Sequence, residues 1–139
     1  MSIYDVFSGG NRPFDKEEWA AAKQAQRKEA YELIDNTCFE MMASGDSFRQ
    51  YLDVQGRFDR YSVANAILVS AQMPEATQLK EYSKWKASRV YVNKDAQKII
   101  ILEPSKEYTR EDGTKGISYN AKVVYDISET SAKDRQQEQ

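Results

Sequence analysis

Apolar residues recur along the first half of the chain at intervals of three and four, then change after Ala87 to alternation. The first spacing is that of helices with one buried face, the second that of strands. Between Asp15 and Ser44, the residues Ala30, Leu33, Ile34, Thr37, Cys38 and Met41 share one face, which predicts a long helix. Asp15 suits its N-cap, Glu17 and Glu18 favour the positive end of the helix dipole, and Gly45 is the expected C-terminal cap. The Ala-rich, charged half from Lys16 to Glu29 is expected to be more exposed. A second helix should start near Asp46 or Ser47, bury Phe48, Tyr51 and Leu52, and end before Gly56. A third spans Ser62 to Met73, with Ser62 as N-cap and Pro74 just past its end. A short fourth covers Gln78 to Lys86, with Leu79, Tyr82 and Trp85 on one face.

Beyond Ala87, Val90 and Val92 alternate, and Ile99-Ile100-Ile101-Leu102 has the look of a strand buried on both faces, stopped by Pro104. Glu111-Asp112-Gly113-Thr114 is a turn signal between strands near Tyr108 and Ile117–Tyr119. Ala121 to Ile127 reads as a last strand. About four helices followed by strands predict an α+β fold with a mainly antiparallel sheet. Gly9-Gly10-Asn11 and Pro13 make residues 1–14 an arm. Residues 15–130 form one domain, and residues 131–139 a polar tail expected to be disordered.

Composition removes much chemistry. The 139 residues include one cysteine, Cys38, and no histidine. Zincin motifs, Ser-His-Asp triads and Cys-His pairs all need an imidazole. No glycine-rich loop is spaced to hold a nucleotide, and most carboxylates lie in solvated helical patterns. The expectation is a non-enzyme with no catalytic residues, no metal and no cofactor. Cys38 lies on the apolar stripe and reads as a buried thiol. A lone cysteine, no membrane-length apolar run and no leader-like N-terminus suggest a cytoplasmic protein.

Net charge is −2, but it is unevenly spread. Residues 1–56 carry about −4, residues 57–98 about +4 and residues 99–139 about −2. Screening makes attraction to phosphate local, so a basic middle can serve a polyanion despite the acidic total. Within that middle, the third helix has no charged residue, and Ser62, Asn65, Val69 and Gln72 form one stripe along it. Amides leaving water there need partners, either protein backbone or the edges of unpaired bases. Trp85 stands between Lys84 and Lys86, with Arg89, Tyr91 and Lys94 following. Such a cluster is either a base-stacking platform beside phosphate-binding cations or an anchor solvated by its lysines.

The ordered series Phe58-x-x-Tyr61-Ser62-x-x-Asn65-x-x-Leu68, Gln72-x-Pro74-x-Ala76-Thr77, Tyr82-x-x-Trp85 and Ile99-Ile100-Ile101-Leu102-x-Pro104 resembles the N-terminal domain of the ArdC family of anti-restriction proteins. Val124-Tyr125-Asp126-Ile127-Ser128-x-Thr130 resembles the segment that closes that domain. The resemblance implies an α+β domain binding single-stranded DNA with little sequence specificity, in the anti-restriction or DNA-transfer systems of plasmids, phages and integrative elements. It implies as further partners a C-terminal metalloprotease-like domain or other mobile-element proteins. Where the family has Gly-Arg-x-Val-x-Lys-Gly-Glu, this chain reads Ser88-Arg89-Val90-Tyr91-Val92-Asn93-Lys94-Asp95, without the glycines. On this reading Trp85 and Tyr61 stack on bases, although Tyr61 could instead be core. Ser62, Asn65 and Gln72 make polar contacts, and Arg60, Lys84, Arg89, Lys94 and Lys98 meet phosphates. A DNA-mimicking inhibitor of a restriction enzyme would need dense ordered negative charge, which the basic centre does not supply. A protein-interaction module is the remaining alternative.

Overall fold

The computed structural model describes residues 15–132; the arm 1–14 and residues 133–139 of the tail lie outside the described residues. Helix α1 (Lys16–Ala43) starts at Asp15, whose Oδ1 accepts from the Glu17 and Glu18 N–H groups at 3.0 Å each. Ser44 then serves two helices. Its N–H donates to the Glu40 carbonyl, while its hydroxyl accepts from Ser47 N–H and opens α2 (Gly45–Arg57). Gly45 is therefore the first residue of α2 rather than a cap on α1. The buried face of α2 is Tyr51 and Val54, continued by Phe58, while Phe48 and Leu52 are exposed. At 100° per residue Phe48 and Leu52 lie to one side of that arc, and α2 runs on through Gly56. Ser62 caps α3 (Val63–Gln72) by accepting from Asn65 N–H at 3.2 Å.

Leu79–Lys80 is not helical. It forms strand β1, paired antiparallel with Asp126 and Tyr125, and helix α4 is confined to Tyr82–Ala87. Val90 and Val92 make no regular strand, and Val92 forms only an isolated bridge with Thr130. Strand β2 (Ile99–Thr109) continues past Pro104 and pairs with β3 (Lys115–Asp126), which merges the two last strands expected into one. A register shift between Pro104 and Glu107 bends the ribbon there. Its tip is the expected turn, with Gly113 at φ 87° and Asp112 Oδ1 accepting from Thr114 N–H at 2.9 Å. The sheet order is β1-β3-β2, all antiparallel, and a 3-10 turn (Ile127–Glu129) follows β3. The fold is α+β, with helices first and an antiparallel sheet after them.

Alternation along β2 sends Ile99 and Ile101 to one side of the sheet and Ile100 and Leu102 to the other. The first pair joins Val54, Phe58, Ile67, Val69 and Val124 in the main core, beside a half-buried Cys38. Leu102 meets Ala30 of α1 and Leu68 of α3 on the opposite side, with Ile100 packed against them. Helix α3 thus reaches both faces because it lies beside the free edge of β2. Asn65 and Gln72 point at that edge, flanked by Val69 on one side and Leu68 on the other. A third cluster holds Trp85, Val90, Ile127 and Ala132. Ser131 and Ala132 are ordered parts of it: Ser131 N–H donates to the Tyr91 carbonyl at 2.8 Å, and its hydroxyl accepts from Tyr91 N–H. Among the described residues no helix is long and apolar enough to cross a membrane.

Candidate nucleic-acid interface

The turn from α2 to α3 is built by Gln55, whose Nε2 donates to the carbonyls of Phe58 and Tyr61 at 3.1 Å each. Its Oε1 accepts from the Tyr51 hydroxyl at 2.9 Å, and the Phe58 and Tyr61 rings lie 4.9 Å apart, centroid to centroid. This scaffold leaves Tyr61 half-buried, with Arg60 and Ser62 exposed beside it. Burial pushes the Tyr61 hydroxyl above its ordinary pKa, against the opposing pull of the Lys122 charge, so it stays neutral at physiological pH.

Tyr61 borders a groove of about 540 Å³. Tyr31 comes to it from α1, Arg60 and Ser62 from the turn, Asn65 from α3, and Tyr119 from β3. Ala64 of α3 with Leu102 and Pro104 of β2 complete its apolar lining. Tyr31 and Tyr119 are 44 % and 39 % exposed, so each ring has area to offer a ligand. On β3, the carbonyls of Ala121 and Tyr119 accept from Lys23 Nζ (2.9 Å) and Arg27 Nη1 (3.4 Å) of α1. A second compartment, of about 400 Å³, shares Tyr61, Asn65, Leu102 and Pro104 with the first and is lined further by Lys80, Glu81, Lys84, Glu103 and Lys122. Lys122 Nζ lies 2.8 Å from Glu81 and 3.3 Å from Glu103. Burial would lower the pKa of Lys122, but the two carboxylates outweigh it and hold the pKa above the ordinary lysine value.

Of the residues singled out from sequence, Arg60, Tyr61, Ser62 and Asn65 meet in the first compartment and Lys84 lies in the second. Gln72, Trp85, Arg89, Lys94 and Lys98 line neither. Trp85 is 2 % exposed, donates from Nε1 to the Tyr125 carbonyl at 2.9 Å, and has Lys80 Nζ 4.8 Å from its ring centroid. The anchor role holds, and no ring face remains for a base. The amides of Gln72 and Asn65 likewise bond protein backbone. Gln72 receives from Ile100 N–H and donates to the Ile100 and Leu68 carbonyls, and Asn65 exchanges two bonds with Leu102. Arg89, Lys94 and Lys98 are exposed on the segment after α4, where Arg89 has a left-handed backbone with φ 60°. Tyr31, Tyr119, Lys80 and Lys122 were not singled out from sequence. Each sits in an unremarkable local pattern, and only the packing of α1, β1 and β3 brings them to Tyr61. Comparison with family models, with curated proteins and with solved structures found no match in any of the three.

Proposed function

We propose that this chain binds single-stranded DNA without catalysis and with little sequence preference, along the groove between α1, the α2–α3 turn and the β2–β3 ribbon. The observation that carries this reading is the convergence of Tyr31, Tyr61 and Tyr119 on one groove with Arg60 at its edge. Single strands are held by aromatic faces that accept any base, beside cations that follow the phosphates. A duplex hides its base faces in the stack, so the tyrosines favour the single strand. The stacking role passes from Trp85 to the tyrosines, while Arg60 and Lys84 keep the phosphate role. With the ArdC-like motif series, this fits a cytoplasmic component of mobile-element anti-restriction or DNA transfer.

The test is anisotropy of a labelled single strand, with a duplex of equal length as control, across a salt series. Tyr119→Ala should weaken single-strand binding by about 1–3 kcal/mol and leave the salt slope nearly unchanged. Arg60→Ala should flatten the slope of log affinity against log salt by about 0.7. Equal affinity for single strand and duplex, or unchanged affinity in a folded Tyr119→Ala protein, would overturn the reading.

A further inference from the structure

Lys122 occupies an unusual place in the sheet. It pairs in register with Ile101, and its neighbours on that face, Val124 and Ile99, belong to the main core. A lysine there has left part of its water shell, and two carboxylates replace it, Glu81 at 2.8 Å and Glu103 at 3.3 Å. The two contacts are unequal, because the Glu103 side chain is the more exposed of the pair. Lys84, exposed on α4, lines the same compartment. Tyr61, Asn65, Leu102 and Pro104 line the tyrosine groove as well, so the two compartments, on opposite faces of the ribbon, meet at the outer edge of β2.

We infer that the lysine compartment is the backbone-phosphate subsite of the groove, with Lys122 and Lys84 as its cations and Glu103 as a built-in competitor that the phosphate displaces. The inference rests on the single-strand reading and adds to it a residue that weakens binding. Lys122 without ligand has its charge neutralised by carboxylate oxygens, which are chemically similar to phosphate oxygens. A phosphodiester entering beside Lys84 repels Glu103 and takes over its contact, while the closer Glu81 contact stays. Each binding event therefore exchanges a carboxylate for a phosphate at Lys122, and affinity is set below what the cations alone would give.

The experiment measures binding of the full chain to labelled oligothymidylate of about 12 nucleotides, within the usual span of single-strand sites, over a salt series. Glu103→Gln should tighten binding roughly fivefold at low salt, the effect of removing one charge about 4 Å from a phosphate in a largely aqueous setting. The gain should fade at high salt. Glu75→Gln, an exposed glutamate lining neither compartment, should change little. Lys84→Ala should flatten the salt slope by about 0.7. In a Lys122→Met background the Glu103→Gln gain should shrink, because Glu103 then only repels the phosphate and no longer competes for a lysine contact. Should Lys122→Met fail to fold, Glu103→Gln and Lys84→Ala decide the matter alone. If Glu103→Gln binds like the parent or like Glu75→Gln while Tyr119→Ala still weakens binding, the subsite falls and the groove stands. If the parent shows no preference for the single strand, both fall together.

Discussion

Asn65 of α3 and Leu102 of β2 exchange two hydrogen bonds of 2.8 Å, the side-chain carbonyl accepting the Leu102 N–H and the side-chain amide donating to its carbonyl. Two helical turns on, Gln72 repeats the arrangement with Ile100 at 2.9 and 2.8 Å. Ile100 and Leu102 are the strand positions whose backbone groups face away from β3, so the two amides take the place of a fourth strand. The next outward position is Pro104, which has no N–H to satisfy. Exposed strand edges invite pairing with other chains, and from Ile100 to Pro104 the edge is closed by one helix and one proline.

Removing one of these amides leaves a backbone donor and acceptor without partners. Asn65→Leu or Gln72→Leu should each lower stability by about 1–3 kcal/mol, read from the urea midpoint. The double variant should also self-associate, visible as concentration-dependent sedimentation, because it bares two consecutive outward positions of β2. A double variant as stable and as monomeric as the parent would remove the edge-closing role.

Trp85 holds the third cluster together. Trp85→Ala should cost about 3–5 kcal/mol of stability, since it empties a buried aromatic site and removes the indole bond to the Tyr125 carbonyl. Under conditions where it remains folded, its salt slope for single-strand binding should equal the parent's. Full stability with lost DNA affinity would return the stacking role to Trp85.

Asp126, 1 % exposed, ties three segments together. Its Oδ1 accepts from Thr77 and Gln78 N–H at 2.9 and 3.0 Å, and its Oδ2 from Ser128 N–H and hydroxyl at 3.1 and 2.5 Å. Bonds to a charged acceptor are worth about 1.5–3 kcal/mol each and do not add fully, so Asp126→Ala should cost about 3 kcal/mol or more. Asp126→Asn should recover part of that, because one oxygen still accepts. Thermal or urea melts of the three proteins give the order.

Acid should undo the Glu81–Lys122 pair only below the ordinary glutamate range. The hydrogen bond to Lys122 holds the Glu81 carboxyl below the ordinary glutamate pKa, with burial opposing and the Lys122 and Lys84 charges assisting. A carboxyl depressed on folding contributes stability that is complete above its unfolded pKa and is lost as pH falls through the folded value. Glu81→Gln should therefore reduce the difference in stability between neutral pH and the acid side of the ordinary glutamate range. Identical pH profiles for the two proteins would show that the pair adds nothing to stability.

Much of the fold can be read along the chain because the signals are local. Asp15 and Ser62 cap the helices that begin after them, since a cap needs only a short oxygen-bearing side chain and an N–H two or three residues on. Asp112-Gly113 turns the ribbon because Gly113 tolerates a positive φ that other residues resist. The change from helical to alternating spacing after Ala87 likewise reflects which residues each backbone can bury. Even so, Leu79–Lys80 became a strand, because Asp126 and Tyr125 offered backbone partners that a window around Gln78 does not contain.

The sequence by itself therefore determined the starts of α1 and α3, the ribbon turn, the α+β order and the uncharged polar stripe on α3. Only the tertiary structure decided what those features do. The stripe allowed backbone or bases as partners, and packing against β2 assigned Asn65 and Gln72 to backbone. The basic surroundings of Trp85 allowed platform or anchor, and Ile127, Val90 and Ala132 closed over the ring. The groove joins Tyr31, Tyr61 and Tyr119 from three separate elements, and no local pattern marks residues that meet only when those elements pack. Capping and turn energies act within a few residues, whereas burial and the satisfaction of buried polar groups depend on which distant segment arrives.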